Sequence, residues 1–290
     1  MSTMPKYTQR RDPSIADKIW AAFDRAELRR ICEMPEREFA SHYRLGTYRV
    51  EQVGADFYCY QDNGSNILAV AHLDTVAYTT DRGCQFVDTE AGPVVFSRAL
   101  DDRLGAYIIL DLLPKLGIVC DVLLTVGEES GQSTARFFDS PKSYNWMIEF
   151  DRGGTDVVLY QYDDKETAAL VEATGATVGD GIFSDISVLD HLDCKGFNWG
   201  VGYRDYHGPR SHAFLDDTFE MLEYFVLFHA DNADEYLFHD STVYPVTRVD
   251  YDDPDDHHTW PSHWPDHWRD GDDEYPKLQT RTSAWTDVEV

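Results

Sequence analysis

The sequence predicts an α/β fold, a three-layer sandwich with a mainly parallel central sheet. Three observations predict it. NILAVAHLD (66–74) and CDVLLTVGEES (120–130) carry short continuous apolar runs, as strands buried on both faces do. Segments with helical spacing lie between such runs. Strand and helix signals alternate over residues 10–248, the order of a sheet covered by helices.

Taken along the chain, SIADKIWAAFDRAELRRIC (14–32) is predicted helical, with Ile15, Ile19, Trp20, Phe23 and Leu28 on one side. YRVEQVGADFYCYQD (48–62) reads as two paired strands, and NILAVAHLD as a buried one. Val94, Val95 and Phe96 form a further apolar run. DRLGAYIILDLLPKLG (102–117) is a helix closed by Pro114 and Gly117. CDVLLTVGEES is the second buried strand, and QSTARFF (132–138) starts a short helix capped by Ser133 or Thr134. YNWMIEFDRG (144–153), DVVLYQY (156–162) and KGFNWGVGYRD (195–205) are strands, and SDISVLDHL (184–192) is a turn or short helix. LDDTFEMLEYFVLFHAD (215–231) is a long closing helix with Asp216 or Asp217 near its cap.

Composition narrows the function. A net charge of −28 disfavours nucleic-acid phosphates and anionic membranes as partners. No apolar run reaches the roughly 18 residues of a membrane span, and residues 1–12 read as a flexible start rather than a signal peptide. Five cysteines without CxxC spacing predict free thiols in a reducing, cytoplasmic setting and no thiolate metal site. From 249 to 290 the chain is acidic, rich in Trp and without apolar periodicity, which predicts a mostly disordered tail after a folded domain spanning 13–248. HHTWPSHWPDHW in that tail reads as solvated, with metal chelation as the alternative.

In parallel sheets the carboxyl ends of strands build the site. Here those ends are unusually polar. AVAHLD ends in His72 and Asp74, LLTVGEE in Glu128 and Glu129, WMIEFD in Glu149 and Asp151, and WGVGYRDYH in Asp205 and His207. RALDDRLGAY (98–107) adds Asp101 and Asp102 at a helix start. Adjacent carboxylates repel unless a cation or solvent takes up their field. Carboxylates converging with two imidazoles, and without thiolates, suit zinc and also cobalt or manganese.

The ordered set H-x-D (72–74), DD-x-x-G (101–105), G-E-E-S-G (127–131), Asp151 and a late His resembles the co-catalytic di-zinc exopeptidases. These comprise the bacterial zinc aminopeptidases, the tetrahedral aminopeptidases and the glutamate carboxypeptidase/aminoacylase group. RALDDRLG looks most like the tetrahedral enzymes; FSDISVLDH and VGYRDYH look like the single-domain aminopeptidases. The resemblance covers residues 66–225 and implies a zinc-peptidase-like sandwich holding two divalent ions. It implies that His72, Asp101 and Asp151 bind one ion and that Asp101, Glu129 and His207 bind the other. Asp101 bridges, Glu128 is the general base, and Asp74 orients His72. A cis peptide is implied between Asp101 and Asp102. Asp102, Asp185 and Tyr206 are expected around the ligands or substrate, and His212 is the alternative to His207. Glu149, Asp185 and Asp205 are candidates to hold a substrate ammonium, and Arg204 or Arg210 to hold a substrate carboxylate.

Only 26 residues (75–100) separate H-x-D from the bridging Asp, and 55 (152–206) separate Asp151 from His207. Neither gap admits the inserted domains of the larger subfamilies, so the chain resembles a bare catalytic domain. The expected function is metal-dependent aminopeptidase action on peptides. The alternatives are a di-zinc deacylase or carboxypeptidase acting on N-acyl amino acids, and a catalytically silent binding module.

Overall fold

Burial on both faces defines the central strands. Every residue of β3 (Ile67–His72), β6 (Asp121–Thr125) and β10 (Gly196–Gly200) is buried, as are the first five of β7 (Trp146–Arg152). Strands with no solvent face need cover on both sides. In this computed structural model, which describes residues 13–36, 38–39, 48–76 and 82–242, the four lie side by side and parallel in the order β6-β3-β7-β10. The sequence readings for 1–12 and 249–290 lie outside the described residues.

The expected hairpin, β1 (Tyr48–Val53) with β2 (Asp56–Gln61), adds antiparallel to β6. On the far edge β8 (Val157–Val158) runs antiparallel to β10, and β9 (Val178–Gly179) is parallel to β8. The eight-stranded sheet is thus parallel at its centre and mixed at its edges. The strand expected over 156–162 is two residues long, because the chain turns into a 3-10 helix at Tyr160–Tyr162.

A second, wholly antiparallel sheet was not expected. It comprises β4 (Gln85–Thr89), β5 (Gly92–Phe96), β11 (Tyr203–Arg204) and β12 (His212–Phe214), in the order β11-β12-β5-β4. The apolar run at 94–96 belongs to it. Residues 195–205, read as one strand, are divided between the two sheets. The break lies at Gly202, whose φ of +75° is a conformation other residues rarely adopt. This break carries the chain from the central sheet towards the turn bearing His207.

Alternation along the central strands sorts side chains to two faces. Ala69, Ala71, Leu124, Ile148 and Phe150 pack with Leu100, Leu104, Phe225 and Phe228 on one side. Leu68, Val70, Leu123 and Met147 pack with Tyr162, Ile186 and Leu189 on the other. Helices cover the first face. The second is covered by 3-10 turns at Thr134–Phe137, Asp185–Val188 and Asp190–Leu192 rather than by α-helices.

The helix expected over 14–32 is two, α1 (Pro13–Ala22) and α2 (Arg25–Glu33). Asp24 interrupts it as an N-cap, its carboxylate accepting the N–H groups of Ala26 and Glu27. Trp20, expected inside, is 39% exposed and meets Phe219 edge-on at 4.5 Å. Next, α3 (Leu100–Tyr107) continues through a π turn at Ile108–Leu112 to Leu113–Lys115. Pro114 therefore lies inside the helical run rather than closing it; its missing N–H follows directly on the π turn, where the α ladder is already shifted. A helix missed in the sequence, α4 (Lys165–Glu172), is capped by Asp164. In α5 (Leu215–Asn232), Asp216 and Asp217 lie in the first turn and neither is the cap. All five cysteines are free and buried. Among the described residues no helix is long and apolar enough to cross a membrane.

Candidate metal centre

Five segments converge at the carboxyl edge of the central strands. His72 is the last residue of β3, and the Leu73 N–H after it donates to the Thr125 carbonyl at the end of β6 at 2.8 Å. Glu128 and Glu129 follow β6 on a single 3-10 turn, Glu128–Ser130. Asp74 ties the two loops together: its carboxylate accepts the N–H of Glu128 at 3.4 Å and of Glu129 at 3.2 Å. Asp151 stands near the end of β7, its N–H donating to Asn198 Oδ1 at 3.0 Å. Asp101 opens α3. His207 comes from the tight turn 205–208, where Gly208 N–H donates to Asp205 carbonyl at 3.2 Å. Asp205 and His207 both sit in the left-handed region, at φ +50° and +63°, a cost that side chains accept when their direction matters.

Asp101 lies between two imidazoles. Its Oδ1 is 3.1 Å from His72 Nε2 and its Oδ2 is 3.0 Å from His207 Nε2. His207 Nε2 also stands 2.9 Å from Glu129 Oε2. His72 Nε2 is 3.6 Å from Asp151 Oδ1 and 3.8 Å from Glu128 Oε2. The sets His72–Glu128–Asp151 and His72–Asp101–Glu129 each bring ligand atoms within 4.8 Å of one another. The six residues thus form one continuous cluster.

Four carboxylates face two imidazoles here, and burial sharpens their repulsion. Burial disfavours the His72 cation, yet Asp151, Asp101 and Asp74 outweigh it and hold its pKa well above the ordinary range. Burial likewise opposes His207, but Asp101 and Glu129 push it up to about 10. Burial would raise Asp101; His207 and His72 instead hold it well below the usual carboxylate range. Asp151 is raised, by burial first and then by Asp101. The imidazoles therefore hold protons where cations fit. Asp151 Oδ1 and Glu129 Oε1 are buried with no hydrogen-bond partner among the described residues. Orphaned carboxylate oxygens among nitrogen and oxygen donors fit divalent-cation binding.

The structure gathers His72, Asp74, Asp101, Glu128, Glu129, Asp151 and His207. Asp102 lies behind them, fully buried, its Oδ1 accepting Tyr203 O–H at 3.0 Å and Gly105 N–H at 3.1 Å. The Asp101–Asp102 peptide is cis, as the resemblance implied. Tyr206 is 46% exposed, its ring edge-on to His207 at 4.8 Å. His212 does not join the cluster; it sits on β12, stacked on Phe96 at 5.3 Å with Nδ1 facing the Arg210 carbonyl.

Two candidates for the substrate ammonium are corrected. Asp185 and Glu149 are fully buried, so neither can meet a substrate. Asp185 accepts a hydrogen bond from Thr125 Oγ1 under the sheet edge. Asp205 remains exposed, 3.5 Å from Arg210. Arg204 pairs with Asp217 at 2.6 Å. Sequence reasoning missed Tyr203, Asn198 and Arg103, which brace Asp102, Asp151 and Leu73. Only Arg103 had a signal, its place directly after the acid pair.

Gly105 allows the acid pair its close packing. A Cβ there would lie 2.2 Å from Asp102 Oδ1, which is held on the other side by Tyr203. Gly105→Ala is expected to destabilise the chain by about 1–3 kcal/mol, an overpacking cost. Urea unfolding of the metal-free chain checks it, and an unchanged midpoint would mean that Asp102 is free to move.

No family model matches the chain, and no curated protein matches it in sequence. In structure it is similar to a tripeptidase from Staphylococcus aureus subsp. aureus Mu50, at 13% identity over 73% of this chain and 97% of that one, TM-score 0.50. It is similar to aminopeptidase PepT from Bacillus cereus ATCC 10987, at 12% identity over 73% and 97%, TM-score 0.51. A Pyrococcus horikoshii TET1 peptidase aligns at 16% identity over 69% and 98%, TM-score 0.47. What the first two share with this chain is the fold.

Proposed function

We propose that the chain is a metal-dependent exopeptidase of the aminopeptidase type, acting on peptides. One observation carries the reading: each carboxylate oxygen of Asp101 faces a different imidazole, at 3.1 and 3.0 Å, as a ligand shared by two cations would. His72, Asp101 and Asp151 would hold one divalent ion, and Asp101, Glu129 and His207 the other. Zinc suits this donor set best, and cobalt and manganese accept it. When bound, such a pair lowers the pKa of a water and polarises a carbonyl.

The chain's own residues do the rest. Glu128 accepts the proton of the attacking water at its carboxylate and returns it to the leaving amine. Asp74 holds Glu128 and Glu129 by their backbone N–H groups and keeps His72 turned towards Asp101. Tyr206, exposed beside His207, would meet a peptide bound at the centre. Two observations favour a free-amine substrate over an N-acyl amino acid. The fold is shared with structures named as a tripeptidase and an aminopeptidase, and the arginines available to a substrate carboxylate, Arg204 and Arg210, lie beside Asp217 and Asp205.

The test is turnover of Leu-, Ala- and Glu-nitroanilides beside N-acetyl and N-succinyl amino acids. The expected result is hydrolysis of the free-amine substrates alone, lost in chelator and restored by zinc, cobalt or manganese. Both imidazoles must shed protons to ligate, so metal uptake tightens as the pH rises from about 6 towards about 10, where the metal-free His207 loses its proton. Hydrolysis confined to N-acyl substrates would make the chain a deacylase. A chain that takes up no metal at either pH would be a silent binding module.

A further inference from the structure

Arg103 is fully buried, and among the described residues no carboxylate stands within ion-pair distance of it. Its guanidinium lies over the Phe39 ring at 4.6 Å, and its Nε has no hydrogen-bond partner among the described residues. A buried cation without a counter-ion is costly. Among the described residues its hydrogen bonds go to backbone carbonyls, Nη1 to Ile31 at 3.2 Å and Nη2 to Leu73 at 2.6 Å.

Leu73 lies between His72 and Asp74. Its N–H is held by Thr125 and its carbonyl by Arg103, so the peptide on each side of Leu73 is held once. Asp74 in turn holds the backbone of Glu128 and Glu129. Arg103 also follows Asp101 by two residues on the same turn of α3. That turn reaches the His72 ring through Asp101 Oδ1 and the next peptide through Arg103.

We infer that Arg103 is a positioning residue of the metal centre: by fixing the Leu73 carbonyl it sets His72 and Asp74 at the spacing from Asp101 that a cation pair requires. The inference rests on the metal-dependent reading above. Electrostatics alone would give the opposite sign, since a fixed positive charge this close opposes cation uptake. Removing the charge then strengthens metal binding if Arg103 acts through its field, and weakens it if Arg103 acts through position.

The test uses the full chain with Arg103→Met and Arg103→Lys. Zinc and cobalt affinities are measured by competition with a chromophoric chelator, the cobalt d–d bands are recorded, and metal-free melting is followed. Arg103→Met is expected to weaken metal binding by about 10–100-fold, the range for groups that orient ligands, and to shift the cobalt bands. Arg103→Lys keeps one donor and should recover part of the affinity. Should the Met variant fail to fold, the Lys variant carries the test, with affinity falling further than metal-free melting accounts for. Metal bound as tightly as in the parent, or more tightly, overturns the inference. A parent chain that binds no metal overturns the functional reading instead.

Discussion

If the centre holds two ions as proposed, Asp101→Asn is expected to strip it of at least one and to lower turnover by at least about 10³-fold, since losing a single oxyanion donor already costs about 10²–10³. Asp101 offers one oxygen to the His72 side and one to the His207 side, and no other residue of the cluster does both. Asn replaces one oxygen by an NH₂ that donates and cannot ligate. Metal analysis after dialysis against zinc checks the first effect, and two ions per variant chain would end the bridging assignment. The metal-free chain supplies a control. His207 has its pKa raised to about 10 chiefly against burial, by Asp101 and Glu129. The stability it contributes is complete below its ordinary value near 6.5 and is lost as the pH rises towards 10. Metal-free parent and variant should therefore differ most in melting temperature near pH 6, and converge towards pH 10.

The parallel centre of the fold was legible because β3, β6 and β7 are apolar on both faces, a pattern that solvent-facing strands do not show. The second sheet was not. β4 is largely exposed and β11 and β12 are two and three residues long, too short for any periodicity to appear. The break at Gly202 could not be told from a glycine inside a strand, since φ is a property of the folded chain. Within the site, His72, Glu129, Asp151 and His207 were legible as charges at expected strand ends, and Asp101 as one of an acid pair at a helix start. Glu149 carried the same strand-end signal, and Asp185 lay in an expected turn; both proved to be buried. Burial depends on which turns cover the sheet, here the 3-10 turn Asp185–Val188, and a charge beneath it looks the same in the sequence as a charge at the mouth. Arg103 was overlooked for a related reason: its two acceptors are backbone carbonyls at positions 31 and 73, which leave no mark on side-chain identity.

Glu128 and Glu129 are adjacent, and conservative replacement of each should fail in a different way. Glu129 Oε2 lies 2.9 Å from His207 Nε2, so Glu129→Gln should lose metal. Glu128→Gln should keep both ions and lower kcat by about 10²–10⁴-fold, the usual worth of a positioned proton acceptor, with KM little changed. Glu128 differs in what surrounds it. Burial lifts its carboxyl to about 8 in the metal-free chain against the opposing His72, and Asp185, Asp101 and Glu129 add to the rise. Cations beside it would draw that value down into the range where a carboxylate both takes and returns a proton. Gln matches Glu in shape, and the Glu128 N–H bond to Asp74 belongs to the backbone, so the turn survives the change. The competing assignment is also open to measurement. Glu128 Oε2 is 3.8 Å from His72 Nε2 and falls within one candidate ligand set with His72 and Asp151. If Glu128 is a ligand, Glu128→Gln loses metal and activity together; if it is the proton acceptor, metal stays and only turnover falls. Zinc content measured alongside kcat separates the two, because a proton acceptor is needed only when water attacks, whereas a ligand is needed before any substrate arrives.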